Sequence, residues 1–483
     1  MVDVQRAPRV SRNGTPPAPP RAASSSLPRQ TAAGTATRRS RQRTDGSRAR
    51  GAAAGVTGSA PARPTPASVR PAWLRAQSVN VTRHAAALRP FRRGEFGTGA
   101  VAPSEGHLQA VNQLILALRR GLLRKSVRVT RAVEAAQRQP ATAELQRMVG
   151  AKERAHDWVR AVERVWDFYF ELFGQRQSEV ATWLLAADRI ALDCYQVSFM
   201  RLGVARSIPA PPPFSYMRTG FSPATYRRQI PLRRLGRQLN PFPLIQLPYH
   251  RLVNPWTLGA ILHEVSHNLH NDLGLERVVA ARINARLRDA GLGATVASTW
   301  TRWNRELFAD VCGLLLGGPA VVGSLFDVIG RSPRTVLTYS PGTPHPTPYL
   351  RAFISIELLR RMGFEAEAES YRRLWMRLYP DSRAGNIPRP LLDSFPEANA
   401  IVVDAVCFRP FPSLGGKSLR EVLPYADKEQ QIVEEAATRL AAGTDPGIIP
   451  ERLVIGAARV ALDRRLARPG VITRNFYTAL SRS

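Results

Sequence analysis

Lysine is nearly missing from this 483-residue chain: four lysines (Lys125, Lys152, Lys417 and Lys428) stand among 69 basic residues. The formal net charge of +32 is therefore carried by arginine, as a GC-rich coding sequence would produce, and does not by itself define a nucleic-acid-binding protein. Cysteine is as sparse. Cys194, Cys312 and Cys407 lie far apart and form no Cys-x-x-Cys pair, which excludes a disulfide framework or a thiolate zinc site and favours a reducing compartment. No apolar run of signal-peptide length precedes Leu27. The longest apolar stretch, Val311 to Phe326, is interrupted at Gly317, Gly318 and Pro319 and is shorter than the roughly 18–20 residues of a spanning helix. A cytoplasmic protein without an integral membrane segment is expected, with export by a non-classical route left open.

Acidic and large apolar residues are scarce at the N-terminus. Residues 1–104 hold 18 arginines against three acids, net +15, so about half of the formal charge sits in a fifth of the chain. Such a composition predicts a disordered basic tail that cannot offset its ordering entropy, able to contact polyanions or to serve as an address. Helical periodicity starts at Ser104, with Leu108, Val111, Leu114, Ile115 and Leu118 at helical steps. Further helices are predicted at 141–173 and 178–202, making 105–205 a helical region. Residues 206–242 are rich in proline and arginine without a period, and 243–247, PLIQL, reads as an edge strand because prolines flank it. Helical patterns resume at 276–290, 298–316, 348–362, 365–379, 397–406, 428–442 and 450–465. The predicted organisation is a tail over 1–104, a helical region over 105–205, a site-bearing domain over 206–380 and a helical extension over 381–483.

What is present is concentrated in NPWTLGAILHEVSHNLHNDL, Asn254 to Leu273. Asn254 is suited to cap a helix, Pro255 to begin it and Gly274 to stop it. Leu258, Ile261, Leu262, Val265, Leu269 and Leu273 form an apolar stripe, with His263, Glu264 and His267 beside it. Histidines four apart project from one helix face and can reach one Zn²⁺, while the intervening Glu264 faces water at that ion. His270 falls three residues later, but one helix seldom supplies three ligands to a tetrahedral ion, so core packing is expected for it. Downstream, NRELFADVCG places Glu306 and Asp310 four apart on a second helix, so one can ligate the metal while the other accepts a hydrogen bond from a ligating imidazole.

The HExxH helix followed by a helix bearing glutamate resembles the gluzincin branch of zinc metallopeptidases, and the E-x-x-A-D pattern of Glu306 to Asp310 also looks like the CAAX-type prenyl-protease group. The resemblance covers about 243–351. It implies an α+β, mainly helical, zincin-like metalloprotease domain holding one Zn²⁺ per chain through His263, His267 and Glu306, with Glu264 as general base and Asp310 behind a ligand. The metzincin extension is excluded, since the positions three and six after His267 hold His270 and Leu273. Three protein ligands leave one position open to water, which implies peptide-bond hydrolysis by metal-activated water on a peptide or protein substrate. An oxyanion donor is also needed. His345 is the first candidate and Tyr349 the next, with Arg351, Tyr249 and His250 in reach by sequence. Two other functions fit the same residues: a noncatalytic, basic-tailed interaction protein on this scaffold, and a delivered effector or toxin whose tail is a targeting signal.

Overall fold

Steps of three and four between apolar residues become helices over most of the chain. The computed structural model describes residues 66–202, 207–236 and 238–482, with side chains from residue 71. Counting helices of nine residues or more, the order begins α1 (Pro66–Ala87), α2 (Glu105–Arg138), α3 (Thr142–Gly174) and α4 (Ala181–Met200). Ser104 caps α2, its hydroxyl accepting from the His107 amide at 3.4 Å. Val111, Ile115, Leu118 and Leu122 line the buried side of α2 against Val159, Val162, Val165 and Tyr169 of α3, and further along Val129 and Val133 share a second core with Met148 and Ala155.

The predicted tail needs a correction. Residues 1–65 lie outside the described residues, but 66–104 hold α1 and a packed segment. Leu74, Val81, Ala85 and Leu88 recur at helical steps and are buried, and Leu74 and Val81 share a core with Val129 and Val133. Phe91 and Phe96 insert among Trp166, Phe170 and Phe173. Averaged composition hides so sparse a stripe, because helix formation by docking needs only one apolar residue per turn on the covered face.

Between α4 and the motif lies a three-stranded sheet of order β1-β3-β2, with β1 (Phe214–Met217), β2 (Ala224–Tyr226) and β3 (Leu244–Leu247). β3 is the PLIQL run, and it is central: β1 pairs with it parallel and β2 antiparallel. Pro243 and Pro248 flank the strand and remove no donor from inside it, so the flanking prolines do not confine it to an edge. β2 holds the edge nearest the motif helix, where Asn268 Nδ2 donates to Thr225 Oγ1 at 2.8 Å.

The remaining helices are α5 (Gly259–Asp272), α6 (Glu276–Asp289), α7 (Ala294–Gly317), α8 (Pro319–Ile329), α9 (Pro348–Arg361), α10 (Glu365–Leu378), α11 (Phe395–Val403), α12 (Asp427–Ala442), α13 (Val454–Asp463) and α14 (Pro469–Arg482). Among the described residues no helix is long and apolar enough to cross a membrane. From Trp73 onward the chain forms one compact unit. One core runs from Leu184 through α5 and α7 to Leu480, so α12 to α14 share it with the motif helix. A buried ion pair fixes this closure: Arg452 Nη1 donates to Asp193 of α4 at 2.9 Å, and Arg452 Nε donates to the Leu316 carbonyl at 3.0 Å.

Candidate metal centre

Helix α5 carries the first half of the site. Asn254 does not cap it: that side chain donates to the His250 carbonyl, and a short turn at Pro255–Thr257 precedes the helix. Gly274, at φ +70°, ends it as expected, with the Leu275 amide returning to the His270 carbonyl at 3.0 Å. Leu258, Ile261, Leu262, Val265, Leu269 and Leu273 are all buried, which orients His263 and His267 toward α7.

Helix α7 brings the second half. Glu306 and Asp310 recur one turn apart on the side that meets α5, and Gly313 continues that row. His263, His267 and Glu306 then form the metal-sized group of donors found among the described residues. The two Nε2 atoms are 3.1 Å apart. Glu306 Oε2 is 3.4 Å from His263 Nε2, and Oε1 is 3.5 Å from His267 Nε2. Four donors on a tetrahedral ion with bonds of about 2.0–2.1 Å stand about 3.3 Å from one another, so the two imidazole nitrogens and the carboxylate that faces them both stand at a spacing that suits zinc. Two imidazole nitrogens facing each other across 3.1 Å also need a proton or a cation between them.

Asp310 stands behind His263, with Oδ1 2.9 Å from Nδ1 in a bent approach. Burial opposes charge on the His263 ring, but Asp310 and Glu306 raise its pKa to about 10; a carboxylate at Nδ1 retains the proton there, so that a cation, if bound, would take the place of the Nε2 proton. Arg351 of α9 in turn holds Asp310 with two bonds, Nε to Oδ2 at 2.6 Å and Nη2 to Oδ1 at 2.8 Å, and comes within 3.7 Å of Glu306. Burial opposes the charge on Asp310, but Arg351 and His263 hold its carboxyl below the usual carboxylate range. Burial also opposes charge on Glu306, yet His267, His263 and His345 keep it well below its ordinary value. Burial pushes His267 down to about 3, so this ring is a neutral donor at physiological pH. Glu264 is pushed up to about 7, first by burial, with His263 acting against the shift.

The other candidates separate. His345 joins the site from the loop before α9, its Nε2 3.2 Å from Glu306 Oε2 and its ring half exposed. Tyr349 does not join. Its ring packs edge-on against Phe353 at 5.2 Å, in a small core with Trp375, because it lies two residues from Arg351 on α9 and thus on the opposite side of that helix. Tyr249 stacks on Trp183, and His250 sits by Phe221. Arg351 proves to be the clamp on Asp310. His270 is 1% exposed and stacked on Phe308 at 4.0 Å, a core residue as expected. Cys312, on α7, is buried.

Sequence reading passed over Gly313. A Cβ there would meet the His263 amide nitrogen at 3.3 Å and the Leu262 carbonyl carbon at 3.4 Å, so this glycine sets how closely α7 approaches α5. Its signal was available, as a small residue on the row of Glu306 and Asp310. Neither a family model, nor a curated protein, nor a solved structure matches this chain.

Proposed function

We propose that the chain is a zinc-dependent peptidase of the gluzincin type, with a zincin-like arrangement of α5, α7 and the sheet. The observation that supports this most is the convergence of three side chains: the two Nε2 atoms stand 3.1 Å apart, and the Glu306 carboxylate reaches each of them, Oε2 to His263 at 3.4 Å and Oε1 to His267 at 3.5 Å. His263, His267 and Glu306 would hold one zinc ion. Bound there, zinc supplies Lewis acidity, lowering the pKa of water and polarising a carbonyl.

The protein's own groups do the proton work. Glu264, buried beside the donors and raised to about 7, is poised both to accept a proton from attacking water and to return it to the departing amine near neutral pH. His345, half exposed over Glu306, is placed to donate to the substrate oxygen as charge develops on it. Asp310 keeps the His263 ring in the orientation and tautomer that the reaction needs, and Arg351 keeps Asp310 in place. An extended peptide is offered the outer edge of β2, since β3 is covered on both sides. Proteome-derived peptides incubated with wild-type and Glu264→Gln proteins provide the test. Cleavage by the wild type alone is the expected result, and identical peptide profiles from a zinc-loaded wild type and the variant would sink the proposal.

A further inference from the structure

The outward face of α2 is unusual in what it exposes. Leu116, Leu123 and Val127 are 40%, 43% and 50% exposed. At about 100° per residue they share an arc of about 40° on the helix, running alongside Arg120, Arg124, Arg128 and Arg131 in an adjoining arc of about 80°. All four arginines are exposed, and none makes an ion pair among the described residues. After Glu105 the helix has a single acid, Glu134, and its one ring, that of His107, is buried. Its neighbour α3 differs: there Glu153, Arg154, Asp157, Arg160, Glu163 and Arg164 alternate in sign, the pattern of an ordinary solvated face. From Leu116 to Arg131 the face extends about 22 Å.

We propose that this face docks the protein on an anionic lipid surface. The two leucines and the valine enter the boundary between headgroups and acyl chains, and the row of arginines meets lipid phosphates and carboxylates. Charge complementarity selects an anionic partner, and the apolar row selects a lipid one. A nucleic-acid backbone would use the arginines but take up none of the three apolar side chains, and α2 offers no ring on which a base could stack. The helix packs its opposite face on α1 and α3 and keeps this one rigidly presented, so little ordering cost accompanies docking. The inference is independent of the peptidase reading, because the metal donors lie on α5 and α7.

The test uses the full-length protein and vesicles of phosphatidylcholine with about one-third phosphatidylserine, in a co-sedimentation titration. Wild type should bind these and not pure phosphatidylcholine. With a contribution of about fivefold per arginine, the triple variant Arg120→Gln, Arg124→Gln, Arg128→Gln should lose on the order of 100-fold in affinity. The triple variant Leu116→Ser, Leu123→Ser, Val127→Ser should lose about tenfold or more on vesicles and nothing on a short DNA duplex. Vesicle binding by both variants equal to wild type would overturn the proposal. So would a serine variant that keeps full vesicle affinity, which would make the face a general polyanion contact such as one for nucleic acid. Should a triple variant misfold, a polarity-sensitive dye on Val127→Cys gives a separate reading: its emission should move blue with the anionic vesicles, and unchanged emission overturns the idea.

Discussion

Gly313 lies against the backbone of His263. A side chain at that position would stand 3.3 Å from the His263 amide nitrogen, closer than side chains ordinarily approach, so α5 and α7 meet through backbone where the donors converge. Substitution by alanine brings two opposing effects. Helix propensity favours alanine by up to about 1 kcal/mol, whereas overpacking against backbone costs about 1–3 kcal/mol. Gly313→Ala is therefore expected to lower stability by about 1 kcal/mol and to loosen zinc, measured by thermal melting and by competition with a chelator. A variant more stable than wild type, with unchanged zinc retention, would show that the approach is not tight.

The proposed ligand set makes a direct prediction. Purified wild-type protein should hold one zinc per chain by elemental analysis, and His263→Ala and Glu306→Ala proteins should hold far less while keeping their helical circular dichroism. Glu264→Gln should keep its zinc and lose turnover by on the order of 10²–10⁴-fold, because an amide cannot take up the proton. His345→Gln should cost on the order of 10²–10³-fold in kcat with zinc retained, the cost of one oxyanion donor.

Asp310 and Arg351 form a coupled pair on buried ground. Asp310→Asn should weaken zinc affinity or activity by on the order of 10–100-fold. Asp310→Ala alone leaves the Arg351 guanidinium buried without its partner, at a cost of about 3–5 kcal/mol in stability. The double variant with Arg351→Met should recover part of that loss. Denaturant titrations of the four proteins close the cycle, and additive losses would contradict the coupling.

The boundary of the packed body also becomes testable. Deleting residues 1–104 removes Leu74, Val81, Phe91 and Phe96, all buried, and should destabilise the α2–α3 hairpin by several kcal/mol at about 1.5–3 kcal/mol for each large side chain. Deleting 1–65 should leave the melting transition unchanged, because among the described residues the cores begin at Leu74. Equal melting temperatures for both deletions would show that α1 contributes nothing to folding.

His107 supplies a pH dependence distant from the metal donors. Burial pushes it down to about 4, against the pull of the Pro212 carbonyl, and Arg176 and Arg228 add to the shift. Its ring nitrogens reach Ser104 Oγ at 2.7 Å and the Pro212 carbonyl at 2.9 Å. Between about pH 6.5 and about 4 the unfolded chain takes up a proton that the folded chain refuses, so stability falls as pH drops through that window and changes no further below it. The contribution is on the order of 3 kcal/mol at most. Urea titrations at pH 7 and pH 4.5 should show a smaller difference for His107→Gln than for wild type.

How much of this was legible in the sequence follows from the range of each signal. A helix turns every 3.6 residues, so His263, His267, Glu306 and Asp310 could be placed on their faces from spacing alone. Helices α3, α6, α9 and α10 fall within a few residues of where periodicity put them. Strands β1 and β2 were missed, at four and three residues, because their pairing partner β3 lies about 20–30 positions away and no local period marks them. The direction of Tyr349 was legible: the helix predicted over 348–362 begins at Pro348 as expected and already sets Tyr349 about 200° from Arg351.

The closure of the C-terminal segment on the core that begins at α4 carries a consequence for biosynthesis. Arg452 must find Asp193, 259 residues earlier, and Tyr477 donates to the Leu252 carbonyl from near the very end of the chain. At about 5–20 residues per second, a ribosome that has delivered Asp193 needs roughly 13–50 s more to deliver Arg452. For that interval the part of α4 that the C-terminal segment covers has no native partner, and a product cut short by a late stop codon never acquires one. Nascent chains of this protein should therefore engage holding chaperones late in synthesis, and C-terminal nonsense products should be cleared even though every proposed metal donor has already been made.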